Sequence, residues 1–114
     1  MIHVKFRFNK EKGNICMRVR GHAEDAPKGE SLVCAGVSAL ALTAAECAEK
    51  MWNMGFLTRP PMISLKSGDS LIIVTPKEEC ILEALMCFWA LEVGIHKLQT
   101  HFPSYVRIQE VLKV

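Results

Sequence analysis

The spacing of apolar residues changes once in the first half of the chain, from every second residue to helical spacing. Apolar and polar residues alternate over residues 2–8 and again over residues 15–20. This alternation is typical of strands that bury one face and expose the other. Gly13 lies between the two runs, where it can adopt the left-handed backbone of a tight turn. We therefore predict that the chain begins with a β-hairpin.

Helical spacing begins at Val33 and continues to Gly55, which supplies a helix stop. Two short apolar runs follow the breaker at residues 59–61. They cover Met62–Lys66 and residues 71–75, and the stretch between them is rich in turn-forming residues. This pattern predicts a second hairpin.

A second helix is predicted from about Lys77 to about Thr100, and a last strand follows Pro103. The helix is apolar over more than one stripe, so we expect one part to meet the sheet and another to meet a partner subunit, as in a homodimer. The order ββαββαβ predicts an α+β fold with two helices packed on one small mixed or antiparallel sheet. The 114 residues fit a single domain, residues 1–114.

The charge balance argues against a dedicated nucleic-acid surface. The formal net charge is only +2. The clearest basic cluster consists of Lys5, Arg7, Arg18 and Arg20, which alternate along two predicted strands. Such a pattern is more often the solvated face of a sheet than a binding surface. We therefore expect no direct contact with nucleic acid.

The cysteines and the apolar runs exclude several other classes of protein. The five cysteines are odd in number and widely spaced, and no Cys-x-x-Cys pair occurs, so neither a disulfide framework nor a zinc site is predicted. The chain begins with a strand pattern, without the features of a signal peptide or an uncharged apolar run of spanning length. We expect a cytoplasmic protein with no membrane contact, cofactor or metal.

A histidine and a cysteine flank a short polar loop after the second strand. His22 ends the strand, and Cys34 lies twelve residues later, where the helical pattern begins. With Ser31 as the N-cap, Cys34 falls in the first helical turn, where free amides and the helix dipole stabilise a thiolate. His22 is then a candidate base, and Gly21 and Gly29 are candidate hinges of the loop.

The same residues also have ordinary structural interpretations. A lone cysteine in an apolar helix is more often a core residue, and a lone histidine at the end of a strand is more often a solvated side chain. Ser38 lies one helical turn after Cys34 and can hydrogen-bond either the sulfur or, more commonly, the helix backbone. From the residues alone, the catalytic and the structural interpretations both stay open.

The motif around these residues resembles that of the ribosomal-processing cysteine protease family called Prp. It consists of Gly21-His22-Ala23, then Gly29, then Val33-Cys34-Ala35-Gly36-Val37-Ser38. The resemblance extends to the flanking hairpin, both helices and the ending HFPSYVRI. It implies a homodimeric cysteine endopeptidase that removes an N-terminal extension from a large-subunit ribosomal protein during ribosome assembly. By this resemblance His22 is the general base and Cys34 the nucleophile.

One position departs from the family pattern. Most members of the family have an aspartate where this chain has Ser31. Serine caps a helix equally well, but it carries no charge to hold an imidazolium in place. The loop carboxylates that could take over this orienting role are those of Glu24, Asp25 and Glu30, and the sequence does not select among them.

Two alternatives to proteolysis follow from this departure and from the chemistry of the thiol. The first is a non-catalytic binding module of ribosome assembly that keeps the fold without turnover. The second is a thiol redox sensor, since a thiol at the start of a helix oxidises readily. A sensor needs a resolving cysteine near Cys34, and proximity in the sequence offers only Cys16 or Cys47.

Overall fold

Five strands form one mixed sheet. The computed structural model describes residues 1–22 and 28–114, excluding the side chains of residues 28–31. The strands are β1 (Ile2–Asn9), β2 (Asn14–Arg20), β3 (Met62–Lys66), β4 (Asp69–Val74) and β5 (Val106–Glu110). Their order across the sheet is β3-β4-β2-β1-β5. β5 pairs in parallel with β1, and the other neighbours are antiparallel.

Two helices complete the predicted order ββαββαβ, which confirms the α+β fold class. They are α1 (Lys28–Asn53) and α2 (Ile81–His101). α2 begins later than predicted because a 3₁₀ turn, Glu78–Cys80, precedes it. The turn between β3 and β4 is shorter than predicted, because β4 begins at Asp69.

The register of the strands places their buried side chains on one face of the sheet. Val4 lies opposite Val19, Phe6 lies opposite Met17, and Met17 also lies opposite Ile72. All five are buried. The buried residues of the helices are Val33, Val37, Ala41, Ala44, Ala45, Ala48 and Met51 of α1 and Ala84, Leu85, Phe88, Leu91 and Ile95 of α2. The core therefore lies between the helices and one face of the sheet.

The two helices approach each other closely where each has a glycine. A Cβ atom at Gly36 of α1 would lie 3.2 Å from Cδ1 of Leu98 in α2. Reciprocally, a Cβ atom at Gly94 of α2 would lie 3.0 Å from Cδ2 of Leu40 in α1. Each helix thus presents a leucine to a glycine of the other, which packs the pair closely at two points.

Side chains of α2 hold the backbone at the end of the chain. The side-chain oxygen of Gln99 accepts a 2.6 Å hydrogen bond from the amide of Ile108 in β5. The carboxylate of Glu92 accepts a 2.7 Å hydrogen bond from the amide of Leu112, just beyond β5. Because Leu112 is also buried, the segment after β5 is fixed against the helix.

The segment Leu32–Asn53 of α1 is long and apolar enough to cross a membrane, by length and composition alone. This is weak evidence for a membrane span, because the core helix of a soluble domain has the same properties. Here the small apolar residues of α1 pack against the sheet and α2. These contacts account for the buried part of the helix, while Leu32 and Leu42 are 63% and 55% exposed.

Two cysteine thiols meet at the interface between the helices. Cys47 of α1 and Cys87 of α2 are free cysteines, and the Cys47 thiol is close enough to that of Cys87 to affect its ionisation. Burial raises the pKa of Cys87 to about 12, and the neighbouring Cys47 thiol contributes to the increase. The Cys87 thiol is therefore protonated at neutral pH, and it lacks the thiolate form that reacts with electrophiles.

We predict that Cys87 of the folded protein reacts slowly with iodoacetamide over the whole pH range in which the fold survives. Its labelling rate should rise about tenfold per pH unit without a plateau below about pH 10, because only the thiolate reacts. Peptide mapping by mass spectrometry after timed exposure measures the rate. Urea-unfolded protein is the control, since an unperturbed cysteine has a pKa of about 8.5. A plateau near that value in the folded protein would contradict the prediction.

Candidate active site

Backbone contacts between two turns place His22 at one end of the sheet. Gly21 follows β2 with a φ angle of 107°, and its amide donates a 3.0 Å hydrogen bond to the carbonyl of Gly68. A Cβ atom at Gly21 would overlap the carbonyl oxygen of Met1. Only glycine fits this position, so Gly21 directs the chain from β2 into His22.

The imidazole ring of His22 lies against the backbone of Gly68. Gly68 is the second residue of the two-residue turn between β3 and β4, and its φ angle is 76°. A Cβ atom at this position would overlap Nε2, Cε1 and Cδ2 of the ring. The ring therefore occupies space that exists because Gly68 has no side chain.

Cys34 is positioned by the buried face of α1. Val33 and Val37 are 0% and 3% exposed, and they fix the rotation of the helix against the sheet. Cys34 itself is half-buried. Ser38 lies four residues further along, on the same face of the helix as Cys34.

His22 and Cys34 line one cavity of about 240 Å³. Its walls come from the end of β2, from α1 and from the turn between β3 and β4. The lining residues are Ile2, Val19, Gly21, His22, Cys34, Val37, Ser38, Ala41 and residues 66–70. The structure thus brings together four of the predicted site residues, namely Gly21, His22, Cys34 and Ser38.

Helix α1 begins earlier than predicted, which changes the position of Ser31. The sequence predicted Ser31 as the N-cap and Cys34 in the first turn, but α1 begins at Lys28 and Ser31 lies inside it. Lys28 and Glu30 are good helix formers but Gly29 between them is not, so helix propensity does not account for the extension. With this earlier start, Cys34 is in the second turn, beyond the four free amides of the helix start. The prediction that those amides stabilise a thiolate at Cys34 is therefore wrong.

The predicted loop between His22 and Cys34 lies largely outside the described residues. Gly29, a predicted hinge, is in the first turn of α1. Residues 23–27 and the side chain of Ser31 are not among the described parts of the chain. The predicted role of Gly29 as a hinge of the loop stays a prediction.

Asp69 is the one carboxylate among the described residues that line the cavity. It begins β4 and lies opposite Arg20. One of its oxygens lies 3.3 Å from a guanidinium nitrogen of Arg18 and 3.7 Å from Nε of Arg20. Two guanidinium groups therefore engage this carboxylate at the edge of the cavity.

Sequence reasoning missed the contribution of the turn between β3 and β4. Gly68 was predicted only as a turn residue of the second hairpin. Its contact with His22 depends on the pairing of β2 with β4, which no local pattern specifies. The one sequence signal was the glycine itself, since a positive φ in a tight turn favours glycine.

No other cysteine accompanies Cys34 in the cavity, and all five cysteines are among the described residues. Cys16 lies on the sheet face away from the helices, and Cys47 contacts Cys87 instead. The two resolving cysteines considered for a redox sensor are therefore not placed for that role. Among the side chains that the structure describes, no group of three potential ligands could hold a metal ion.

Comparison with protein families gives a match over most of the chain. The family model described as cysteine protease Prp matches residues 1–107. This range contains both helices, four of the five strands in full, and the cavity that joins His22 to Cys34. Comparison with curated protein sequences gave no significant match.

Several crystal structures share the fold. The essential ribosomal processing protease Prp from S. aureus, in complex with a substrate peptide, is 20% identical with a TM-score of 0.68, over 97% of this chain and 100% of that chain. The same protease with a covalently linked product peptide is 20% identical with a TM-score of 0.66, over the same shares. SMU.848 from Streptococcus mutans is 22% identical with a TM-score of 0.68, over 99% of this chain and 96% of that chain. These similarities establish the shared fold.

We predict that Gly68→Ala greatly reduces peptidase activity while the protein stays folded. The new Cβ would displace the His22 ring, and loss of a positioned acid–base group lowers the rate by about 10²–10⁴-fold. The positive φ angle alone should cost only about 1–2 kcal/mol of stability. Peptide hydrolysis and thermal unfolding measure the two effects.

Gly13→Ala is the matched control for this variant. Gly13 has a similar φ angle of 66°, and no atom lies within 4 Å of a Cβ atom built there. This control should lose a comparable amount of stability and keep its activity. Equal activity in the two variants would show that Gly68 does not position His22.

Proposed function

The chain belongs to the cysteine protease Prp family, and we propose that it removes the N-terminal extension of a large-subunit ribosomal protein, with Cys34 as nucleophile and His22 as base. The observation that carries the proposal is the single cavity lined by His22 and Cys34. The S. aureus relative is a ribosomal processing protease, and one of its structures contains a covalently linked product peptide. Both facts support covalent catalysis on a peptide. A protease that acts during ribosome assembly would be located in the cytoplasm.

In the first half of the proposed reaction, Cys34 becomes acylated. The thiol proton passes to the His22 imidazole, and the sulfur attacks the carbonyl carbon of the scissile peptide bond. The carbon–nitrogen bond then breaks, and His22 returns the proton to the leaving amine. The downstream part of the substrate leaves with a new amino terminus, and the upstream part stays bound to Cys34 as a thioester.

In the second half, water releases the acyl group. His22 takes a proton from a water molecule, and the resulting hydroxide adds to the thioester carbonyl. The carbon–sulfur bond breaks, His22 returns its proton to the Cys34 sulfur, and the upstream peptide leaves as a carboxylic acid that loses its proton to bulk water. The reaction needs no cofactor or metal, because the two side chains supply both the nucleophile and the proton transfers.

The oxyanion that forms on the scissile carbonyl needs donors that come from outside the start of α1. Ser38 lies one turn from Cys34 on the same helix face and lines the same cavity. Ser67 and Ser70 line the opposite wall of the cavity. We assign the oxyanion donor to one of these hydroxyls or to a backbone amide of the turn between β3 and β4.

The walls of the cavity suit an extended peptide. Its floor is apolar and consists of Ile2, Val19, Val37 and Ala41, while the turn wall is polar. A small or apolar substrate side chain would bury its surface on this floor, and the peptide backbone would find hydrogen-bond partners along the turn.

We predict that this protein shortens an N-terminally extended large-subunit ribosomal protein, as seen by intact-mass spectrometry. Cys34→Ala should abolish cleavage, because it removes the nucleophile. His22→Ala should slow cleavage by about 10²–10⁴-fold, the usual contribution of a general acid–base group. Cys47→Ala is the matched control, because Cys47 lies away from the cavity, and it should cleave normally.

An intact substrate after incubation with every variant, wild type included, would refute the proteolytic function. Binding of the extension peptide by wild type and Cys34→Ala would then identify the non-catalytic module. Cleavage that persists in Cys34→Ala would instead assign the nucleophile to another group.

We also propose that two copies pair through the outer face of α2. The buried residues of this helix face the sheet, yet Leu82, Met86 and Val93 on the opposite side are 63%, 57% and 60% exposed. Their spacing places them in one stripe along the helix. A twofold pairing would bury the stripes of both copies against each other, which accounts for a helix that is apolar on two faces.

We predict that Met86→Glu shifts the protein from dimer to monomer in light scattering coupled to size-exclusion chromatography. A charge at the centre of the stripe would be buried without a partner in the dimer. Met54→Glu is the matched control, because Met54 is also 57% exposed but lies beyond α1. Wild-type protein that is monomeric at all concentrations, or a dimer that survives Met86→Glu, would contradict this interface.

A further inference from the structure

The sheet face opposite the helices, which we call the open face, carries the excess positive charge of the chain. Its charged residues are Lys5, Arg7, Arg18, Arg20, Lys66, Arg107, Asp69 and Glu110. These six basic and two acidic residues give a net charge of +4, while the other eight basic and ten acidic residues of the chain carry −2. The open face is therefore strongly basic, although the net charge of the whole protein is small.

The strand register places like charges directly opposite each other on the open face. Lys5 lies opposite Arg18, and Arg20 lies two residues further along the same strand. Like charges in this position destabilise a sheet. Among the described residues, Asp69 is the one carboxylate within ion-pair distance of either arginine, and both arginines share it. A bound anion would offset this repulsion.

A small pocket of about 100 Å³ lies between these side chains. The residues that line it are His3, Lys5, Arg18, Arg20 and Gln109. Nε of Arg18 and Nδ1 of His3 are buried and lack a hydrogen-bond partner within the described structure. Unsatisfied buried polar atoms are costly. Cationic and amide donors that converge without a carboxylate form a suitable site for phosphate oxygens.

The basic surface continues beyond this pocket. An adjoining cavity of about 310 Å³ shares Lys5, Arg18 and Arg20 with the pocket. It extends to Arg7, whose guanidinium is already paired with the carboxylate of Glu110 in the cavity wall. Successive open-face residues along one strand are about 6.6–6.8 Å apart. This spacing is comparable to that of successive phosphates along a nucleic-acid strand. The pocket and the cavity together form a basic groove that is longer than a single-phosphate site.

We propose that this groove binds the phosphate backbone of RNA. The open-face positions of β1, β2 and β4 carry no Phe, Tyr or Trp, so bases have no aromatic surface on which to stack. Contacts are therefore with phosphates and depend on the shape of the RNA. The groove itself is inferred from the structure alone. The choice of RNA as its ligand depends on the proposed function, because a ribosomal protein lies beside RNA.

The groove borders the active-site cavity. Asp69 lines the cavity and also engages Arg18 and Arg20 of the groove. A ribosomal protein already bound to RNA would therefore have its extension near Cys34 when the RNA lies on the open face. This arrangement replaces the expectation that the alternating basic residues form only a solvated surface.

The test is fluorescence anisotropy of a labelled RNA duplex of about 16 base pairs, the length that a small double-stranded RNA-binding domain spans. The variant Lys5→Glu/Arg18→Glu should bind at least about tenfold more weakly than wild type, with a salt dependence reduced by about one unit of slope per lost phosphate contact. The variant Lys50→Glu/Lys77→Glu changes the net charge by the same amount, but at positions away from the open face. It should bind RNA like wild type.

Lys5→Gln/Arg18→Gln covers the case in which the double glutamate variant fails to fold. It removes the charges without reversing them, and it should weaken RNA binding. Lys5→Gln alone leaves the pair of Arg18 with Asp69 at the edge of the cavity intact, so it should also weaken RNA binding while cleavage of an isolated extension peptide stays unchanged. Circular dichroism and thermal unfolding verify the fold of each variant. Retained peptide cleavage with lost RNA binding supports the groove.

Three outcomes would overturn the proposal. The first is no binding by wild type, or equal binding by wild type and the open-face variants. The second is equal weakening by the Lys50→Glu/Lys77→Glu control, which would reduce the effect to net charge. The third is binding of a DNA duplex or a polyglutamate peptide as tight as that of RNA, which would overturn the assignment to RNA. If wild type binds RNA but cleaves no extension peptide, the proposed function fails and the groove stands.

Discussion

The register between β2 and β4 is the constraint on which the site depends. It pairs Arg20 with Asp69 at the strand ends, which places Gly68 beside Gly21 and brings the turn against His22. A slip of one residue would turn every side chain of β4 to the opposite face. That slip is prevented by burial, because the facing residues Met17 and Ile72 are both fully buried in the core. The position of the imidazole is thus set by hydrophobic packing elsewhere in the sheet.

The parts of the fold that bury one face were predictable from the sequence. β3 was predicted over Met62–Lys66, the range it has, because the breakers on both sides delimit it. The start of α1 was not predictable in the same way. Residues 28–31 lack apolar spacing and include Gly29, so neither periodicity nor helix propensity marks a helix there, and a good capping residue at Ser31 suggested a later start. Periodicity marks only the residues that meet the core.

The site was predictable in its two reacting groups and in two of their neighbours, Gly21 and Ser38. His22 and Cys34 stand out by residue type and by the motif around them, and the cavity joins them. Gly68 supplies the surface on which the ring lies, but it belongs to a hairpin far along the chain. Contacts of this kind arise from strand pairing. A glycine in a turn does not indicate which residue will pack against it in the folded protein. Sequence reasoning therefore identifies the reacting groups more readily than the groups that orient them.

The hydrogen bonds from α2 to the end of the chain also determine how one edge of the sheet behaves. β5 is an edge strand, and free amides on an edge can pair with a strand from another molecule. Here the side chain of Gln99 accepts the hydrogen bond of the Ile108 amide, and the carboxylate of Glu92 accepts that of the Leu112 amide. A helix thus protects this edge against intermolecular strand addition, in addition to the charged residues Arg107 and Glu110 that the strand carries. The opposite edge, β3, is left as the side of the sheet where a further strand could add.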